Sequence, residues 1–486
     1  MAIKQSEPTR QQATAKTHYG AEAKSVDYAR KMDAQDPLKH LREQFIIPSV
    51  TDISRGELST NDDNAEKSIY FCGNSLGLQP KAVREYVNGQ LSTWSTIAVK
   101  GHFQTLESSP IKPWQHMAQS CAEASAPIVG ALPSEVAIMN SLTVNLHFLL
   151  ASFYRPTAKR NKIIMDWKAF PSDHYAIETQ IQWHGYDPKE AMVLVAPDDD
   201  FTISTQKILD TIDEHAADAA LFLLPGIQYY SGQYFDIKTI TAHARSKGMM
   251  VGWDLAHAAG NVPVKLHDWD VDFACWCTYK YMNGGPGSIA GIFVHERHSK
   301  IRVTEDAETG TSLSFPLRLA GWYGHELKTR FNMDNQFVPI DGAGGWQVSN
   351  PSAIDLASLA GALSVFNFTS IEALREKSLN LTSYAEFLFD DILATLSASD
   401  ERQDKNPVFR IITPLDPEAR GAQLCVLLLR PGLLDVVMKG LGDAGMIVDK
   451  RQPDVVRIAP VPLYNTFEEV YRFARKFEEA LVGFLS

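Results

Sequence analysis

Residues 248–287 read GMMVGWDLAHAAGNVPVKLHDWDVDFACWCTYKYMNGGPG. Two short, nearly all-apolar runs, GMMVGWD and FACWCTY, each end at a polar residue: the first at Asp254, the second just before Lys280. Runs of this kind suit strands buried on both faces, as in a parallel sheet covered by helices. Upstream the pattern recurs in NKIIMDW, AMVLVAP and ALFLLPG, with the helical stretches ISTQKILDTIDEHAA and DIKTITAHARSKG between several of them. Alternating strands and amphipathic helices predict an α/β body with a mostly parallel sheet. Near residue 346 the rhythm changes to long helical patterns, followed by strand candidates at FRIITP, AQLCVLLLR and DVVRIAPVPLY, which predict a smaller C-terminal α+β domain. The expected division is an N-terminal tail and arm packing with the small domain (1–85), a large α/β domain (86–346) and the small domain (347–486).

A chain of 486 residues with 45% apolar and 21% charged side chains has the composition of a globular protein with a substantial core. Its net charge of -12, without a basic cluster, argues against nucleic acid as a partner and leaves small molecules. Cys72, Cys121, Cys275, Cys277 and Cys425 form an odd set without paired metal-ligand spacing, which suits reduced thiols and a cytoplasmic location. Cys275 and Cys277 would share one strand face, a core-packing pattern rather than a metal or redox pair. No run approaches the roughly 20 apolar residues of a membrane span. The start, MAIKQSEPTRQQATAKTHYG, lacks the apolar stretch of a secretory signal and the amphipathic stripe of a mitochondrial presequence, so a solvated tail is expected.

In an open parallel sheet, ligands bind beyond the carboxyl ends of the strands, so Asp254 and Lys280 are expected to face one crevice. A plain salt bridge fits that pair as well. Gly284, Gly285 and Gly287, directly after the lysine, let backbone approach a bulky ligand closely. A lysine amine becomes a nucleophile only when it sheds its proton, which burial beside a ligand favours. Asn140, Ser141 and Thr143 precede an apolar helical pattern, MNSLTVNLHFLLASF. Free N–H groups and the helix dipole there would receive a phosphate, although an ordinary N-cap has the same signature. With Lys280 and Asp254, this makes half of a site for pyridoxal 5'-phosphate (PLP). FPSDHY supplies the rest: Phe170 can stack on a pyridine ring, and Asp173 can join Asp254 near the ring nitrogen. His257 either orients Asp254 or is a packed histidine without a chemical role.

Taken together, these segments make the sequence resemble the kynureninases, a family of fold-type-I PLP enzymes, from about residue 25 to residue 486. The strings that carry the resemblance are YFCGNSLGLQP, FPSDHYA, WDLAHAAGN through TYKYMNGGPG, GWYGHE, RFNMDN, SNP and RIAPVPLYN. The resemblance implies a fold-type-I PLP-dependent, transferase-like fold. Lys280 would carry PLP as a Schiff base, and Asp254 would face the ring nitrogen, supported by His257 and Asp173. Phe170 would stack on the ring, with Pro171 beside it, while Leu142, Thr143, Ser172 and Tyr279 hold the phosphate side. Trp322 and Asn350 would reach in from a second subunit, which implies a homodimer. Arg457 would grip the substrate α-carboxylate, with an ion pair to Asp454 as the alternative; His102, Asn350 and Ser75 would lie near the substrate ring. The stretch after His102, FQTLESSPIKPW, departs from the family pattern.

The implied reaction is hydrolysis of L-kynurenine or its 3-hydroxy form to the corresponding anthranilate and L-alanine, in tryptophan degradation and NAD biosynthesis. Tyr229, Tyr230 and Tyr279 are equal candidates for a proton relay. The rival readings are a cysteine desulfurase or aminotransferase on the same fold, or an inactive scaffold. Cys425, in an apolar strand pattern, speaks against the desulfurase, and intact Lys280, Asp254 and Thr143 speak against the scaffold.

Overall fold

Seven short strands form the main sheet: β1 (Val136–Ile138), β2 (Lys162–Asp166), β3 (Met192–Val195), β4 (Ala219–Pro225), β5 (Met250–Asp254), β6 (Phe273–Trp276) and β7 (Gly291–Val294). The computed structural model describes residues 19–56, 65–197, 201–306, 310–332, 334–399 and 407–485; the tail expected over the first residues lies outside them up to residue 18. The strand order is β1-β7-β6-β5-β4-β2-β3, and every pair is parallel except those made by β7. The five apolar runs named above for the α/β body contain β2 to β6, to within one residue at the start of β4. Ile163, Ile164, Leu221, Phe222, Val251, Trp253, Phe273 and Ala274 are fully buried, as a sheet covered on both faces requires. Burying each large apolar side chain contributes about 1.5–3 kcal/mol. Close packing also dictates Gly252 in β5, where a β-carbon would stand 2.2 Å from the Phe273 ring on the neighbouring strand.

Helices along the chain are α1 (Val26–Gln35), α2 (Lys81–Ile97), α3 (Trp114–Ser125), α4 (Leu142–Phe153), α5 (Pro171–Trp183), α6 (Thr205–Glu214) and α7 (Ile237–Ser246). The last two start where side chains satisfy free N–H groups: Ser204 Oγ accepts from Lys207 N, and Asp236 Oδ1 accepts from Thr239 N. By contrast, α4 and α5 begin without a side-chain cap.

The C-terminal part holds α8 (Ala353–Phe366), α9 (Ile371–Ser399), α10 (Leu433–Asp443) and α11 (Phe467–Leu485). Its sheet, in the order β8-β9-β11-β10, comprises β8 (Phe409–Ile411), β9 (Leu424–Leu428), β10 (Asp449–Arg451) and β11 (Val455–Ile458), all antiparallel. Its core takes in Ala23, Ala29, Ile69 and Phe71 from the N-terminal segment together with Leu381, Val437 and Phe473. α8 packs elsewhere: Leu356, Ala357, Leu359 and Leu363 belong to the core of the main sheet. No single described helix is long and apolar enough to cross a membrane. The bent pair α8–α9 meets the length and composition of a span, but its apolar faces are divided between these two protein cores.

Candidate active site

β2, β4, β5 and β6 end on one side of the sheet, and the loops that leave them enclose a cavity. α4 enters this cavity through a turn at Asn140, whose φ of 47° is a left-handed conformation that asparagine tolerates. Leu142 and Thr143, in its first turn, line the wall, as do Phe170, Ser172 and Asp173 at the start of α5. Pro171 occupies the first position of α5, where its missing N–H costs nothing. Asp254, His257, Tyr279 and Lys280 line the same cavity. The sheet therefore brings together the parts that sequence reading scattered over 142–280.

Lys280 Nζ lies 3.0 Å from His257 Nε2 and 5.9 Å from the centre of the Phe170 ring. Burial, and then the neighbouring Lys280, Arg457 and Arg451, hold the His257 imidazole well below its ordinary 6.5, so it is neutral. An amine that donates to Nε2 places the ring proton on Nδ1, and Nδ1 is buried without a partner. Asp254 Oδ1 accepts from Ala256 N at 2.7 Å, and Asp173 lines the same cavity. Burial first, and then the Asp254 charge, push the Asp173 carboxyl well above the usual range. Asp173 is therefore the protonated member of the two carboxyls.

These features fit PLP. An uncapped helix N-terminus with the Thr143 hydroxyl suits a phosphate. A buried carboxylate pair suits a protonated ring nitrogen, Phe170 offers a ring face, and Lys280 offers the amine. The orphaned His257 Nδ1 and Asp173 Oδ1 are buried polar atoms of the kind that a polar ligand satisfies.

Other predicted residues lie outside this wall. Arg457, 1% exposed, donates to Tyr229 O at 2.8 Å and pairs with Asp449; the local partner is thus Asp449 and not Asp454. Register decides this, because Asp449 of β10 stands directly opposite Arg457 of β11. Arg451 joins the pair, 2.6 Å from Asp449. Ser75 is half-buried in the turn whose Gly77 N donates to Tyr279 O at 2.8 Å, next to the lysine loop. His102 and Asn350 line a different cavity with Gln90, Trp94, Trp114 and Tyr323. Trp322 is 43% exposed. Of the three tyrosines, Tyr229 and Tyr279 line the Lys280 cavity, while Tyr230 is buried under Lys168, whose Nζ sits 4.2 Å from the ring centre. Sequence reading missed Pro225, Ile227, Ala256 and the Asp449–Arg451 pair; only the last carried a signal, three charged residues in a row in DKR.

The kynureninase C-terminal domain model matches residues 374–477, and that of the aminotransferase class-V family matches 115–332. Kynureninase of Pyricularia oryzae is 55% identical over 490 residues, covering 96% of this chain and 97% of that one. The chain belongs to the kynureninase family. Other members include kynureninase of Sclerotinia sclerotiorum, 57% identical with 96% of each chain covered, and kynureninase 2 of Aspergillus terreus, 58% identical with 94% and 96% covered. Among solved structures, a cysteine desulfurase of Thermococcus onnurineus NA1 superposes with a TM-score of 0.66 at 16% identity, covering 86% of this chain and 95% of that one. A cysteine desulfurase of Escherichia coli gives 0.66 at 17%, with 92% and 98% covered. At such identities these structures establish the fold alone, that of the fold-type-I PLP enzymes, and the family's cofactor is PLP.

Proposed function

We propose that the protein cleaves L-kynurenine or 3-hydroxy-L-kynurenine with water, giving anthranilate or 3-hydroxyanthranilate and L-alanine, in tryptophan degradation and NAD biosynthesis. The observation that carries this reading is a single buried constellation in a chain of this family: Lys280 against neutral His257, in one cavity with Asp173 and Asp254. PLP, when bound there, supplies an electron sink for the charge left by bond cleavage next to the amino-bearing carbon.

The chain's own groups do the rest. The carboxylate pair holds one negative charge where a ring nitrogen would sit, and Phe170 and Thr143 fix the ring and the phosphate. Lys280 Nζ moves the proton of the substrate α-carbon. Arg457 offers a guanidinium fork to the α-carboxylate, exchanging Asp449 for substrate. Water adds to the γ-carbonyl, the bond between β and γ carbons breaks, the aryl fragment leaves as a carboxylate, and the β-carbon takes a proton to become the methyl group of alanine. Tyr229 or Tyr279 stands close enough to the cavity to deliver it. A sulfur-accepting desulfurase is disfavoured because Cys425 is fully buried.

We further propose a homodimer in which Trp322 and Asn350 of one protomer, and the cavity around His102, complete the substrate pocket of its partner. Exposure of Trp322 and Asn350, away from their own Lys280, supports this. Five unpaired cysteines support the cytoplasm as compartment. The division into arm (1–85), PLP-binding body (86–346) and C-terminal unit (347–486) belongs to the same proposal, supported in its first part by the shared core of Ile69, Phe71 and Phe473. Lys280→Ala tests the chemistry: purified protein should lose both the borohydride-trappable link to PLP and kynurenine turnover. Retention of both would overturn the assignment.

A further inference from the structure

At the end of the main sheet remote from Lys280, a second set of donor atoms converges. Glu135 immediately precedes β1, His267 lies in the loop that leads into β6, and His295 immediately follows β7. Because β7 runs antiparallel between β1 and β6, these three positions fall at the same end of the sheet. Glu135 is fully buried. Its Oε1 lies 2.9 Å from His267 Nδ1 and 3.6 Å from His295 Nδ1, and the three donor atoms lie within 4.8 Å of one another. The imidazoles are stacked, with ring centres 5.1 Å apart and planes 19° apart, so both Nδ1 atoms address one carboxylate.

Hydrogen bonding accounts for part of this arrangement. Glu135 accepts from the backbone N–H groups of Leu132 and Glu296 at 3.0 and 2.9 Å, and His267 Nδ1 is within reach of both carboxylate oxygens. It leaves His295 without a hydrogen bond to Glu135. That ring accepts the Arg297 N–H at Nδ1, 3.3 Å away, so its Nδ1 carries a lone pair. That nitrogen stands 3.6 Å from Glu135 Oε1, and its one lone pair is the one that accepts the Arg297 N–H. A cation placed among the three donors would take that lone pair over from the Arg297 N–H and replace the proton between His267 Nδ1 and Glu135.

Geometry and surroundings agree. A tetrahedral zinc ion with bonds of about 2.0–2.2 Å holds its ligand atoms about 3.3–3.6 Å apart, and the separations of 2.9 and 3.6 Å bracket that range. His295 Nε2 faces Asp270 Oδ1 at 3.5 Å, the carboxylate–histidine arrangement that orients metal-binding imidazoles. The nearby cations are engaged elsewhere: Arg297 lies 3.1 Å from Asp270 and 2.5 Å from Asp272, and Arg245 3.2 Å from Asp270. The His267 side chain is 31% exposed, which provides an entry path and room for water as a further ligand.

We propose that Glu135, His267 and His295 form a binding site for a divalent ion of the zinc class, a clip that ties three segments of the large domain together far from the PLP cavity. Two imidazoles and one carboxylate suit zinc, cobalt or nickel better than calcium or magnesium. The test takes the full chain loaded with PLP, strips it with a chelator, and titrates it with zinc chloride by calorimetry and thermal melting. Wild type should bind one ion per chain saturably and melt at a higher temperature, while His267→Gln and His295→Gln should each weaken binding at least about tenfold and abolish the melting shift. Cobalt(II) should give wild type the intense visible bands of a four-coordinate site and give neither variant those bands. Equal zinc affinity and stoichiometry in wild type and both variants would overturn the proposal. So would wild type that shows neither saturable binding nor the cobalt bands, even if His267→Gln lowers the melting temperature, since the cluster would then be a hydrogen-bonded strut only.

Discussion

Arg457 is almost wholly buried, and its guanidinium divides between the Tyr229 carbonyl and Asp449. A substrate carboxylate would replace Asp449, which would retain Arg451 at 2.6 Å, so the exchange strands no charge. Arg457→Ala should weaken substrate binding by about 1.5–3 kcal/mol, roughly a tenfold to hundredfold rise in KM. Unchanged steady-state kinetics would leave the arginine as a strut between two strands. His257 makes a prediction about pH. Its folded-state pKa is depressed, so above the unfolded value of 6.5 both states are neutral and the group has no effect on the pH dependence of stability. Below 6.5 the unfolded chain takes a proton that the folded protein refuses, and stability falls by up to about 1.4 kcal/mol per pH unit until the folded value is passed. Denaturant unfolding at pH 7.5 and 5.5 should therefore show wild type losing more stability than His257→Gln. Equal losses would show that the imidazole is not held neutral.

Two helix starts and one turn build the cavity, and the turn is the most sensitive of them. A β-carbon at Gly77 would stand 2.2 Å from Asn283 Oδ1 and 2.3 Å from the Lys280 carbonyl, which is backbone and cannot swing aside. Gly77→Ala should cost about 1–3 kcal/mol of stability and displace the lysine loop. Thermal melts and the PLP absorption retained after gel filtration would check this; wild-type values for both would mean that the loop yields freely. At this scale the sequence was largely readable, because apolar runs bounded by polar residues mark β2 to β6, five of the seven strands of the main sheet; the three residues of β1 are too short a run to stand out. The antiparallel direction of β7 was not readable, since GIFV has the same apolar pattern in either orientation. Nor was the placement of α8, whose seven buried residues leave little face for a periodicity argument to choose.

Considered as a molecule, the chain keeps Trp322, Asn350 and His102 away from its own Lys280 cavity. If a partner supplies the first two, Lys280→Ala and Trp322→Ala should each be inactive as purified but complement each other on mixing and refolding. Random pairing yields half mixed dimers, each with one intact site, and thus about a quarter of wild-type activity. No recovery in a mixture shown to contain mixed dimers would place Trp322 outside the partner's site.

The sequence by itself determined the α/β class, the strand-end positions of Lys280 and Asp254, and the helix start at Leu142, because these depend on local pattern and on residue chemistry. Tertiary structure alone decided that Arg457 meets Asp449 rather than Asp454, that Tyr230 stands outside the cavity wall, and that Glu135, His267 and His295 meet at one sheet end. Strand register and direction govern those contacts. They are set by how the whole sheet closes its core, not by any short stretch of chain.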